Sequence, residues 1–343
     1  MNKISATIVA DSINQHGDRL TSLVLTYPRI IHAEMLTHRM FSRNASSSRA
    51  VPVQKMIEAV KNNTFCPFEF QKAHKGMQGS EYFTDEDKED CIKLWLESAE
   101  LALQQAEKMK EKGITKQIIN RILEPYQYYT ILITGSREGW NNFFELRCPS
   151  YEIDLPISND RNEDWETFKF KSKKDLKKEV YSDEIDNYDN LEWLSINKGQ
   201  AEIHMMDLAE KIYDAYNEST PKELKAGEWH IPFEDKIVQG YINSGESVDR
   251  TINKETLVKI STAMAARTSY TVVGEGKALD YEALIGLHDR LIAQNPPHSS
   301  PMEHCCLCVS EEEYNNSFKG VEKGWFRNYR GFKSYREIVE SSR

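Results

Sequence analysis

Residues 32–49 read HAEMLTHRMFSRNASSSR, and this stretch carries three arginines, two histidines, an asparagine and four serines against one acid, Glu34. No hydrophobic core calls for that mixture. Arginine forks bind carboxylate or phosphate oxygens in pairs, and serine hydroxyls fill further acceptor positions. The chemistry on offer is therefore anion recognition. The plain alternative is an exposed, serine-rich basic loop, and composition alone leaves both open.

The elements that must hold this stretch follow from the apolar pattern. Ile30, Ile31, Met35, Leu36 and Met40 recur at near-helical spacing, so a helix with one buried face is predicted over 28–41. Asn44 and the consecutive serines after it predict a helix end and a loop. Upstream, residues 4–9 and 20–25 read as a strand pair joined by a turn at His16-Gly17-Asp18. Downstream, a short helix is expected over 51–60 with Pro52 near its first turn, and loop over 63–80. A long amphipathic helix is expected over 85–112, its apolar face drawn from Ile92, Leu94, Trp95, Ala99, Leu101, Ala102, Ala106 and Met109, with Gly113 ending it. Further helices are expected over 115–123, 140–146, 200–216, 254–267 and 280–294. Residues 305–309 read as a buried strand, and 325–339 as an aromatic, basic tail. The segment 148–197 differs in texture, with a basic patch at 171–178 and an acidic, aromatic run at 181–193. It reads as an inserted excursion, of the kind that serves as a lid or is partly ordered.

Residues 37–49 resemble the signature of the flavin-dependent thymidylate synthases, R-H-R-x-x-S-x-N-x-x-S-x-R. His38, Arg39, Ser42, Asn44, Ser47 and Arg49 fall on it, while Thr37 replaces its first arginine and Ala45 stands where glutamate is common. Residues 120–130 resemble A-R-x-x-L-P-x-x-x-Y-T, with Arg121, Pro125, Tyr129 and Thr130 in register. Residues 135–147 are similar to G-x-x-R-x-W-x-x-F-x-x-L-R, with Glu138 where an arginine is usual. Gln200-Ala201-Glu202-Ile203 is similar to A-Q-x-E-I, with Lys198 where histidine is common. Two more motifs follow, A-A-R-x-S-[FY] at 265–270 and H-x-[ST]-P-[FM]-E-H at 298–304. In familiar members these two precede the signature, and the simplest account of the order is a circular permutation.

The resemblance implies an α+β fold, with a mixed or antiparallel sheet flanked by long helices. It divides the chain into a nucleotide- and flavin-binding core (1–147), an insertion (148–197) and the rest of the core with the last two motifs (198–343). It implies Arg147 as the catalytic residue facing the pyrimidine ring, and Glu34, Ser47, Arg49, Arg121 and Arg147 as substrate contacts. It implies His38, Arg39, Met40, Asn44, Asn142, Ser269, His298 and Ser300 as cofactor contacts. It also implies FAD as the cofactor, NADPH and methylenetetrahydrofolate as co-substrates, dUMP or a similar pyrimidine nucleotide as the acceptor, and a homotetramer with shared sites. The chemistry is coherent on its own terms. Methylating a uracil at C5 needs an electron source, a one-carbon donor and a fixed cation for charge developing on the ring. Hydride from flavin would make a cysteine nucleophile unnecessary.

Competing readings stay open at this point. Cys148, next to Arg147, and Cys66 could each serve a cysteine-nucleophile synthase, since a reactive thiol needs an electropositive setting. His298, Glu303, His304, Cys305, Cys306 and Cys308 cluster, but their spacing fits zinc templates poorly, and no metal is expected. A related pyrimidine-methylating or hydroxymethylating enzyme, or a non-catalytic nucleotide-binding protein, would also suit the departures at Thr37 and Ala45.

Composition sets the outer bounds. The 343 residues allow a real core, and a formal net charge of −10 argues against general nucleic-acid binding. No apolar run is long enough to span a bilayer, and residues 1–11 lack the pattern of a signal peptide. Six cysteines without framework spacing point to a reduced, cytoplasmic setting.

Overall fold

The computed structural model describes residues 3–76, 79–159, 162–179, 190–243, 252–268 and 280–342. Ser269 and Tyr270 of the fifth motif, and residues 181–189 of the acidic run, lie outside them.

The fold is α+β, as expected. β1 (Ser5–Asn14) and β2 (Arg19–Pro28) form the anticipated pair. Their turn closes because the Asn14 Oδ1 accepts the main-chain N–H groups of His16 and Asp18, both at 2.9 Å, while Gly17 takes a φ of +79°. The helix expected over 28–41 is much shorter. A 3-10 turn, Arg29–Ile31, leads into α1 (His32–Leu36), and only Ile31 and Met35 of the apolar set are fully buried. The Arg43 guanidinium donates to the Leu36 carbonyl at 2.9 Å and stops the helix there.

The segment read as loop is instead β3 (Ser42–Ala45), an edge strand of the main sheet. It exists because β4 (Tyr128–Ser136) presents a row of main-chain donors and acceptors that β3 satisfies. β4 is itself an interior strand, with β2 on its other side. Helices α2 (Val53–Asn62), α3 (Asp85–Glu111) and α4 (Lys116–Ile122) pack together beside the sheet. In α3 the buried stripe is Ala99, Leu103 and Ala106, whereas Leu94 and Leu101 are exposed. The stripe therefore follows i, i+3/i+4 steps through Leu103, not the broader set read from hydropathy.

α5 (Arg137–Arg147) crosses the sheet and carries Trp140, Phe143 and Phe144 into the main core. The excursion after it is built from a hairpin, β5 (Tyr151–Asn159) with β6 (Asn162–Phe170), followed by α6 (Lys173–Glu179) and α7 (Asn190–Ile196). It shares a small core with the next helix, in which Tyr151, Leu176 and Trp193 meet Ile203 and Met206, so it is not an open loop. Its two ends are pinned together: Lys198 N–H donates to the Ser150 carbonyl at 2.7 Å, and Ser150 N–H to Asn197 Oδ1 at 3.0 Å.

α8 (Ile203–Glu218) lies next to α5 against one face of the sheet. β7 (Lys222–Leu224) then joins β1 in parallel, which completes the order β3-β4-β2-β1-β7. The last third of the chain covers the opposite face. β8 (Trp229–His230) and β9 (Cys306–Cys308) form a three-stranded antiparallel sheet with the strand Phe332–Ser334. Helices α9 (Glu234–Asn243), α10 (Lys254–Arg267) and α11 (Tyr281–Ala293) build a separate core around them. Among the described residues no helix is long and apolar enough to cross a membrane.

Candidate active site

The functional stretch is held from two sides. Phe41 is wedged into the sheet, where an added Cβ on Gly135 would lie 2.5 Å from its ring. Its ring sits 4.3 Å from that of Trp140. Arg43 ties the preceding turn to α1 through main-chain carbonyls. These two residues set where His38 and Arg39 stand.

Arg147, in the last turn of α5, is gripped by α1 and the turn after it. Its Nε donates to His38 Nε2 at 3.0 Å, its Nη1 to Glu34 Oε2 at 3.1 Å, and its Nη2 to Thr37 Oγ1 at 3.2 Å. The His38 ring also lies edge-on to Phe143, 4.9 Å away. Burial, then the Arg147 and Arg43 guanidiniums, push the His38 imidazole down to about 4. Burial and the Glu202 charge raise the Glu34 carboxyl, while Arg147 opposes them. A guanidinium with three fixed acceptors is a preorganised cation. Thr37 is a contact that motif matching passed over, because it registered only as a departure.

Ser47 and Arg49 form a tight turn, in which Ser47 Oγ accepts the Arg49 N–H at 3.3 Å. The buried Asn120 side chain fastens that turn to α4, donating to the carbonyls of Ser48 at 2.8 Å and Val51 at 2.9 Å. Arg121, the next residue on α4, is thereby brought beside the turn that bears Arg49. Arg39, Arg49 and Arg121 are all exposed, and none pairs with an acid among the described residues.

The sixth motif follows the signature by some 250 residues and meets it in space. The 3-10 turn Ser300–Glu303 packs on β3. His304, fully buried, approaches Asn44 Oδ1 at 3.4 Å. Turning the Asn44 amide so that its nitrogen donates to the carbonyls of Arg43 (3.1 Å) and Ser300 (3.2 Å) satisfies all three. α10, which carries Ala265, Ala266 and Arg267 at its end, packs on the same segment, with Ser261 Oγ 3.2 Å from Cys305 Sγ. Asn44 is thus turned inward, with 4% exposure. Met40 is half-buried, and His298 and Asn142 are exposed. Asn142 stands five positions before Arg147, about 140° around α5 from it, so one subunit does not bring the two together.

Residues 19–167 match the family model described as Thy1, thymidylate synthase complementing protein. The matched segment covers less than half of the chain. It holds the signature, the Arg121 segment and the whole of α5, and it ends inside the excursion. The motifs at 265–270 and 298–304 lie beyond it. No curated protein matches the chain. Among solved structures, the UMP/dUMP methylase PolB from Streptomyces cacaoi bound with 5-Br UMP matches at 15% identity. That match covers 43% of this chain and 78% of that one, with a TM-score of 0.36. The same methylase bound with 5-Br dUMP matches at 13% identity over 43% and 79%, with a TM-score of 0.34.

Other features in and around the matched segment escaped sequence reading. Glu138 faces Arg330 of the C-terminal tail at 3.6 Å, and Arg330 also approaches the buried Asp18 at 3.4 Å. Cys148 is buried in the main core, its Sγ 3.7 Å from the Ala209 carbonyl, and burial pushes its thiol well up. A thiol in that setting is not a nucleophile. The C-terminal cysteines face different partners: Cys305 meets Ser261, Cys306 the Glu303 carbonyl and Cys308 the Leu224 carbonyl.

Proposed function

We propose that the protein is a flavin-dependent pyrimidine nucleotide methylase of the thymidylate synthase type. It transfers a methylene group from methylenetetrahydrofolate to C5 of dUMP and yields dTMP. The observation that supports this most is the Arg147 clasp within the segment that matches the Thy1 model, which also carries the exposed Arg39, Arg49 and Arg121.

The residues present suit FAD and a nucleotide monophosphate. Arg39, Arg49 and Arg121 offer exposed forks, unpaired by any acid among the described residues, of the kind that bind phosphate oxygens. In this reading Arg39, His38, Met40, Asn44, Asn142, Ser269, His298 and Ser300 hold FAD, and Ser47, Arg49, Arg121 and Glu34 hold the nucleotide. Bound FAD, reduced by NADPH, supplies hydride chemistry. Arg147 stays protonated throughout and stabilises negative charge on the pyrimidine edge, a task for a fixed cation rather than a proton donor. Glu34, Thr37 and His38 keep that cation from wandering, and Phe143 shields one side of His38 from water.

The functional unit in this reading is a homotetramer in a reduced, cytoplasmic compartment. Leu36 and Leu146, sequence neighbours of Thr37 and Arg147, are 44% and 58% exposed. A second copy covering this apolar rim could also bring its Asn142 to the site. All six cysteines are free thiols, as a reduced compartment requires.

The test is product analysis after incubation with dUMP, methylenetetrahydrofolate, FAD and NADPH. Formation of dTMP supports the reading. A hydroxymethyl product, or turnover of UMP in place of dUMP, would move the assignment to a related modifying enzyme, a reading that Thr37 and Ala45 favour. A chain that takes up nucleotide but turns nothing over would overturn catalysis.

A further inference from the structure

The turn that carries Ser47 and Arg49 is gripped from below. Ser46 and Ser48, on either side of Ser47, are buried, whereas Ser47 is half-buried and Arg49 exposed. The Ser46 carbonyl accepts the Tyr129 hydroxyl, and the Ser46 N–H and Oγ both donate to the Thr130 carbonyl. The Ser48 Oγ donates to Glu124 Oε1. Glu124 opens a 3-10 turn, Glu124–Tyr126, that follows α4 and packs against the 3-10 turn Arg29–Ile31. Tyr129 and Glu124 both meet Arg29. Its guanidinium lies over the Tyr129 ring, 4.3 Å from the ring centre, and its Nη2 faces Glu124 Oε2 at 3.6 Å. The Arg29 N–H donates to the Gln127 carbonyl at 2.9 Å, which fixes the backbone from which the side chain starts.

We propose that Arg29 is a positioning residue for the nucleotide phosphate, acting through Glu124 on Ser48 and through Tyr129 on Ser46. The proposal rests on the reading of Ser47, Arg49 and Arg121 as nucleotide contacts.

Packing alone does not explain an arginine here. Its side chain is only 21% exposed, and Glu124 at 3.6 Å stands beyond hydrogen-bond range. Its Nη1 is buried with no hydrogen-bond partner among the described residues. A buried N–H without an acceptor costs stability, and an apolar side chain over Tyr129 would avoid that cost. What an arginine supplies is a flat cation, able to cover an aromatic face and to meet a carboxylate with its edge.

The carboxylate needs that cation. Glu124 is drawn against Ser48, so it lies under the turn that offers Ser47 and Arg49 to an anion. Unpaired, it would repel a phosphate bound there. Paired with Arg29, it is a fixed acceptor for Ser48 and adds no net charge beneath the turn. The stack on Tyr129 holds the ring whose hydroxyl supports the Ser46 carbonyl. Ser47 and Arg49 are thus presented from a turn whose two inward residues are fastened to one floor.

The experiment measures dUMP and deoxyuridine binding to the full chain by calorimetry, because the two ligands differ only in the phosphate. Arg29→Met keeps an unbranched stem over Tyr129 and removes the cation. Ser48→Ala leaves Arg29 in place and cuts its link to the turn. Each is expected to weaken dUMP binding about tenfold, the scale of one hydrogen bond, and to leave deoxyuridine within about twofold. A merely structural role would lower the melting temperature and move both ligands together or neither. Equal losses for the two ligands, or wild-type dUMP affinity in both variants, overturn the proposal alone. If Arg29→Met does not fold, Ser48→Ala decides by itself. A wild-type chain that binds dUMP no more tightly than deoxyuridine, or an Arg49→Ala variant that keeps the full preference for dUMP, overturns the reading of the turn as the phosphate site and this proposal with it.

Discussion

Arg147 Nε donates to His38 Nε2 across 3.0 Å, so each residue fixes the state of the other. A guanidinium is always a donor, and His38 must answer with a lone pair on Nε2. His38 is therefore neutral, with its proton on Nδ1. The depressed His38 value, about 4, comes first from burial and then from the charges of Arg147 and Arg43.

The sign of the pH effect follows. Between the ordinary histidine value near 6.5 and about 4, the unfolded chain binds a proton at this position and the folded chain does not. The His38 contribution to stability is complete above about 6.5 and is lost as pH falls toward about 4. His32, pushed to about 3 by burial and the nearby arginines, acts in the same sense. The raised carboxyl of Glu34 works the other way. The expected outcome is a His38 ring that stays neutral at pH 5 by NMR. The urea midpoint of His38→Gln should fall less steeply between pH 6.5 and 4 than that of the wild type.

Arg147→Lys keeps a positive charge but cannot make three directed contacts. Turnover should drop about 100- to 1,000-fold, the scale for removing one preorganised electrostatic group. FAD affinity should stay within about threefold. Single-turnover dTMP formation alongside an FAD titration separates the two effects, and near-normal turnover would remove Arg147 from the chemistry.

Cys148→Ala should keep substantial activity. The thiol is buried against Ala209, its pKa is pushed up, and its loss leaves only a small void. A stability cost of about 1 kcal/mol is expected. Complete inactivity of a folded, FAD-loaded variant, with a covalent nucleotide adduct on wild-type Cys148, would restore the cysteine-nucleophile alternative.

Gly135→Ala should be disproportionately harmful. The new methyl would sit 2.5 Å from the Phe41 ring, which is hemmed in by Trp140 and Phe143. Overpacking of this kind costs about 1–3 kcal/mol. Phe41 is three residues from His38, so the displacement should also weaken FAD binding. A variant with wild-type melting temperature and FAD affinity would show that the wedge does not set the signature.

Sequence reading and structure agree where local pattern decides. The turn at Gly17 and the long helices carry their own capping and periodicity, and their boundaries fall within a few residues of expectation. They part where tertiary pairing decides. β4 is buried on both sides, so its apolar run shows no alternation. β3 is made of turn-forming residues, and only the open edge of β4 makes it a strand. At the site, motif spacing pointed to Arg147 and the free arginines. Thr37 was visible only as a mismatch.

The pinned ends of the excursion have a consequence for how the chain tolerates change. Ser150 and Lys198 meet main chain to main chain, so everything between them is a ring closed at one neck, and that ring is fastened a second time to α8, where Tyr151 Oη and the Lys173 N–H donate to Glu210. The entropy of closing such a ring grows only logarithmically with its length. Arg147 stands immediately before the neck, and its guanidinium is anchored to α1 rather than to the ring. Segments of different size could be exchanged at that neck while the guanidinium kept its place, provided each supplies donors for the buried Glu210 and an apolar cover for Ile203 and Met206.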